Sequence, residues 1–136
     1  MAGGLRIAID GPEGAPWIVF SNSLATDLSL WDPQVEAFAP RWRLLRYDYH
    51  GHGGSAPAAV DRCGTDRLAA DLLAVMDAAG AAVAVHVGVS MGSLAGIAAA
   101  LESPRRFRGL VIGNARLKSS PATADSLERR AALAMA

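Results

Sequence analysis

The pentapeptide Gly88-Val89-Ser90-Met91-Gly92 constrains this chain more than any other stretch, because it lies between an apolar run, Val83 to Val87, and an alanine-rich segment, Leu94 to Leu101. Glycine on both sides of a serine, after a strand and before a helix, suits a sharp turn in which close-packed neighbours leave no room for side chains at Gly88 and Gly92. The serine is then held in a strained backbone conformation with its hydroxyl presented outward. The first turn of the following helix directs unpaired backbone N–H groups at the same place, so the N–H of Met91 is positioned to stabilise a developing oxyanion. A second donor is expected from the loop after an earlier strand, from Ser23 or Leu24, with Leu24 favoured.

The rest of the chain supplies a framework for such a turn. Leu5 to Ile9 reads as a strand closed by the breaker cluster Asp10-Gly11-Pro12-Glu13-Gly14, and Trp17 to Phe20 as the next strand. Leu28, Trp31, Val35 and Phe38 recur at spacings of three and four, which predicts a helix over Leu28 to Ala39 with Asp32 or Ser29 as its cap. Trp42 to Tyr47 reads as a strand running into a shaped glycine loop, Gly51 to Ser55. Leu68, Leu72, Val75 and Met76 predict a helix from Thr65, as its cap, to a stop at Gly80. Leu110 to Ile112 is a further strand. From Trp17 onward strand and helix alternate, which argues for an α/β fold with a mostly parallel sheet, flanking helices and right-handed crossovers. Ligands of such sheets sit at the carboxyl ends of the strands.

Composition narrows the function. Thirteen basic against thirteen acidic residues give a formal charge of zero, which offers no electrostatic footprint for nucleic acid. No apolar run approaches the roughly 20 residues of a membrane span, and the amino terminus lacks the pattern of a secretory signal, so a cytoplasmic location with no membrane contact is expected. Cys63 is the single cysteine, which excludes an internal disulfide and a cysteine-based metal cluster within one chain. No metal and no organic cofactor is expected. Seven basic residues between Arg105 and Arg130 face only Asp125 and Glu128, and this stretch reads as solvated surface.

Several separated stretches carry a family resemblance. They are Ile18 to Leu24 with Trp31-Asp32-Pro33-Gln34, Leu45-Arg46-Tyr47-Asp48 leading into Gly51-His52-Gly53-Gly54-Ser55, His86 to Gly92, and Leu110 to Ala115. On these residues the sequence resembles the α/β-hydrolase family, and within it is similar to the 3-oxoadipate enol-lactonases of aromatic catabolism. The resemblance implies a partial α/β-hydrolase fold, with residues 1–115 as the N-terminal part of the core and 116–136 as a basic segment where a cap helix would begin. It implies a serine hydrolase acting on an ester or lactone, with Ser90 as nucleophile and Trp31 and Leu94 as pocket walls beside Leu24 and Met91.

The same resemblance reaches only about the first half of a complete family member, so the cap, the later strands, the acid loop and the histidine loop are expected to be missing. No histidine follows His86, and Asp125 and Glu128 are the carboxylates beyond the helix after Ser90. His50 stands where the family usually has arginine, His52 matches a loop histidine, and His86 reads as structural. Without a base Ser90 is a weak nucleophile, so hydrolysis by this chain is expected to be impaired or absent. Asp48 is expected to organise its loop, and Ser93 replaces the glycine usual after Gly92. A non-catalytic remnant or interaction module is the alternative, and the open edge of the Leu110 strand invites self-association or a complementing chain.

Overall fold

The computed structural model describes residues 3–58, 64–116, 118, 125–126, 128–129 and 132. Cys63 and the Leu127, Ala131 and Ala134 face of the C-terminal segment fall outside them. Among the described residues five strands, β1 (Ile7–Asp10), β2 (Trp17–Ser21), β3 (Arg43–Tyr47), β4 (Ala84–Val89) and β5 (Phe107–Gly113), form one sheet in the order β1-β3-β2-β4-β5. β1 runs antiparallel to β3, and the β3-β2, β2-β4 and β4-β5 pairs are parallel. The crossovers carry α1 (Asp32–Phe38), α2 (Thr65–Ala79) and α3 (Met91–Glu102). The alternation expected from the sequence is therefore the observed one.

Period-two alternation divides the central strands between two cores. Val19, Leu45, Tyr47 and Ala84 point to the face covered by α2 and α3, where they meet Leu72, Val75, Met76, Ala95 and Ala99. Ile18, Phe20 and Leu44 point the other way, toward Trp31 and Val35. Arg46 shares that second face and is buried, and its guanidinium joins Asp10 of β1 at 2.9 Å and Asp32 of α1. One side chain thus ties the edge strand, the sheet and the first crossover helix together.

Several local expectations are corrected. The segment from Leu28 begins as a 3-10 turn, Leu28–Trp31, whose cap is Asp27 accepting from the Ser29 N–H at 2.9 Å; Asp32 is the first residue of α1, and neither it nor Ser29 caps. Pro33 in the first turn of α1 needs no donor there, which suits the break between the two helical types. Thr65 likewise makes no cap bond, since Gly64 occupies that position. Gly80 ends α2 at φ 73°, a left-handed conformation that glycine adopts without a Cβ penalty. β4 runs to Val89 and α3 starts at Met91, earlier than Leu94, so the serine turn is a single residue wide. β5 also extends beyond Leu110 to Ile112 on both sides. Among the described residues no helix is long and apolar enough to cross a membrane.

His86 lies in β4 beneath α3 and is fully buried. Its Nε2 is 3.0 Å from Ser21 Oγ, which is 2.9 Å from the Tyr47 hydroxyl, while Nδ1 has no partner among the described residues. A buried acceptor without a partner costs less than a buried donor, so the ring carries its proton on Nε2. The expected structural role of His86 agrees with this placement. Burial lowers its pKa from the usual 6.5 to about 4, so the unfolded chain binds a proton that the folded one refuses. Stability from this group is complete above pH 6.5 and falls as the pH drops toward 4, by about 3 kcal/mol. Urea melts at pH 7.5 and pH 4 should show that loss in the wild type, and His86→Gln should lack this part of it. A Cβ on Gly96 would sit 2.1 Å from the same ring. Gly96→Ala should therefore destabilise by about 1–3 kcal/mol, measured by the same melts.

Candidate functional site

β4 delivers the chain to Ser90 and α3 leaves from it, so the serine stands at the carboxyl end of a central strand and at a helix amino terminus. Its backbone has φ 53° and ψ −113°, a conformation that side chains rarely adopt. Such a residue costs about 1–3 kcal/mol and persists only where its surroundings dictate it. The surroundings are visible here. The Ser90 N–H donates to the Gly113 carbonyl at 2.8 Å, and the Ser90 carbonyl accepts from Ser93 N–H at 3.0 Å.

Close contact explains the flanking glycines. A Cβ on Gly88 would meet the Gly92 carbonyl oxygen at 2.5 Å, and a Cβ on Gly92 would meet the Ser21 carbonyl oxygen at 2.0 Å. The start of α3 therefore rests on the ends of β2 and β4 with no space for either side chain. Ser93 is fully buried, and its hydroxyl lies 2.8 Å from the Gly88 carbonyl and 2.9 Å from the Gly113 carbonyl. Its one proton is shared between them, so this departure from glycine braces the turn against β5. The Ser90 hydroxyl itself has no hydrogen-bond partner among the described residues.

The loop after β2 approaches from the neighbouring strand. Asn22 is buried, donating to the Tyr47 carbonyl and accepting from the Trp31 indole N–H at 2.7 Å. Thr26 holds the Ser23 carbonyl at 2.9 Å, and Ala25 sits at φ 60°. Leu24 and Met91 both line a pocket of about 880 Å³, whose apolar wall also includes Tyr49, Pro57 and Leu68. Ser23 does not line it, nor do Leu94 and Trp31. Trp31 is instead a core residue, 4.8 Å from the Phe20 ring, because its indole is drawn inward by Asn22.

Asp48 organises the glycine loop, as the sequence suggests. It is fully buried and accepts from the Leu28 N–H at 2.7 Å and the Gly54 N–H at 2.9 Å. None of the three histidines is bonded to Ser90. His50 follows β3, two strands from β4, and its Nδ1 is 2.8 Å from Asp71. Two strand spacings amount to about 10 Å. His52 Nδ1 faces the His50 carbonyl at 3.2 Å, and His86 is sealed beneath α3. Among the described residues no group of three or more His, Cys, Asp or Glu side chains could hold a metal.

Sequence reasoning missed Tyr49, Arg67 and Asp71. All three line the pocket, and Asp71 is buried between His50 and Arg67, whose Nε is 2.8 Å away. The available signal was the spacing of Arg67 and Asp71, one helical turn apart on the face that also carries Leu68 and Leu72. The Tyr49 hydroxyl is buried toward those of Tyr47 and Ser21, and burial pushes its pKa up to about 12.

The geometry agrees with comparisons to known proteins. The chain is 38% identical over 114 residues to 3-oxoadipate enol-lactonase 1 of Acinetobacter baylyi, a match covering 84% of this chain and 42% of that protein. The solved structure of a hydrolase from Pseudomonas aeruginosa PA01 superposes with a TM-score of 0.88 at 36% identity, covering 97% of this chain and 49% of that one. The enol-lactonase from Burkholderia xenovorans LB400 gives a TM-score of 0.75 at 42% identity, covering 80% and 43%. The chain thus spans less than half the length of these relatives. The alpha/beta hydrolase fold family matches residues 16–134, and this chain belongs to that family.

Proposed function

We propose that this chain carries the nucleophile half of a serine hydrolase site for lactones or esters, with an enol-lactone of the 3-oxoadipate type as substrate. The strained Ser90 at the amino terminus of α3 is the observation that supports this reading. Ser90 Oγ adds to the lactone carbonyl, and the N–H groups of Met91 and Leu24 receive the oxyanion. The ring C–O bond then breaks, the enolate oxygen leaves with a proton, and water releases the acid from the acyl-enzyme. Gly88 and Gly92 hold the turn. The likeness to named enol-lactonases favours the substrate class.

Such a step needs a base for the Ser90 proton. His50 is engaged by Asp71 two strands away, His52 faces the His50 backbone, and His86 is buried. Hydrolysis of the enol-lactone by the 136-residue chain should therefore be about a millionfold slower than by a full-length relative, the loss typical of removing a triad histidine. The assay is run beside Ser90→Ala. Rapid turnover that Ser90→Ala abolishes would mean that one of the three histidines, or a second subunit, acts as base.

A second reading, an interaction module, is favoured by β5. Among the described residues β5 pairs on one side, with β4, and Leu110, Val111 and Ile112 are exposed. An apolar edge of this kind is a template for another strand. Sedimentation over a concentration series should show self-association of the wild type, and Val111→Lys should shift it toward monomer. A concentration-independent monomer would count against this reading.

A further inference from the structure

The pocket lined by Leu24 and Met91 is apolar over most of its wall, and Arg67 and Asp71 of α2 meet His50 at one side of it. Arg67 Nε is 2.8 Å from one oxygen of Asp71, and His50 Nδ1 is 2.8 Å from the other. Arg67 Nη2 lies 3.1 Å and 3.2 Å from the two ring nitrogens of His50. One atom cannot lie along both diverging lone pairs in the ring plane, so Nη2 sits over the imidazole face. Nδ1 then carries the proton donated to Asp71, and the Asp71 carboxylate is committed to both partners. Arg67 Nη1 has no partner among the described residues.

The start of α2 faces the same pocket. α2 begins after Gly64, which has no side chain to cap it, and the first intrahelical bond runs from Leu68 N–H to the Gly64 carbonyl. Gly64 and Thr65 both line the pocket, so the start of α2 lies beside Arg67. Planar N–H donors on a fixed guanidinium are the groups that receive a carboxylate.

We propose that Arg67, fixed by Asp71 and held over the His50 ring, forms a subsite for a free carboxylate on the acyl substrate. This deepens the reading of Ser90 as a lactone or ester nucleophile and rests on it. Closing one carboxyl of 3-oxoadipate into an enol-lactone leaves the other free, so a substrate of that type carries the group this subsite takes. Leu24 and Met91, the two candidate oxyanion donors, line the same pocket as Arg67. The site selects ω-carboxylated lactones and esters over neutral ones.

The test is a chemical-shift titration of the Ser90→Ala protein, which cannot turn over, with monomethyl adipate and with neutral dimethyl adipate. The monoester should bind at least about tenfold tighter, as expected for a charged hydrogen-bonded pair. Arg67→Gln should remove about tenfold of the monoester affinity and change the diester little, with Arg67→Lys in between. Equal affinities for the two probes in the Arg67 protein would overturn the proposal without needing any variant to fold. No saturable monoester binding, or an equal effect of Arg67→Gln on both probes, would also overturn it. Because Ser90 is absent from the titrated protein, failure here is separate from failure of the hydrolysis assay.

Discussion

The close approach of α3 to the sheet governs this structure. Gly92 lies against the Ser21 carbonyl and Gly88 against the Gly92 carbonyl, at distances a Cβ would violate. Because β4 ends at Val89 and α3 begins at Met91, one residue must reverse the chain, and that residue takes φ 53°. The strain at Ser90 is thus the consequence of packing a helix start directly onto two strand ends. It is offset by the bonds to Gly113 and by the Ser93 hydroxyl, which brace the turn from the β5 side. Fold and candidate chemistry depend on the same contact.

Polar groups are buried on both sides of that contact and serve different ends. His86, Ser21 and Tyr47 form a chain beneath α3, where desolvation keeps the imidazole neutral and the ring fills the space left by Gly96. Asp48 performs the equivalent task for the glycine loop, accepting from two backbone segments at once. His50, Asp71 and Arg67 lie instead at a pocket wall, where Asp71 holds the other two. A histidine in this chain is therefore either a core filler or a pocket element, and none is bonded to the Ser90 hydroxyl among the described residues.

Much of this was legible in the sequence, for physical reasons that differ between elements. The strands announce themselves because each must present alternate residues to two cores, as Val19 and Phe20 do. The serine turn is legible because only glycine tolerates the contacts on either side of it. The start of α3 was not, since glycine and serine at its first positions are poor helix formers and the sheet contact decides the matter. Trp31 could equally fill a pocket or a core by spacing alone, and its buried bond to Asn22 decides for the core. Thr65 and Asp32 are good capping residues placed one position inside their helices. Arg67 and Asp71 show their pairing in the sequence, but their meaning needs His50, which the sheet brings to them from the end of β3.

The central claim is that packing forces Ser90 into a backbone conformation natural only to glycine, and a sign in stability tests it most directly. Urea denaturation of Ser90→Gly and Ser90→Ala should find the glycine variant more stable by about 1–2 kcal/mol, because glycine relieves the strain. In an unstrained turn the order reverses, since glycine loses more chain entropy on folding, by about 0.5–1 kcal/mol. A glycine variant less stable than the alanine variant would contradict the account.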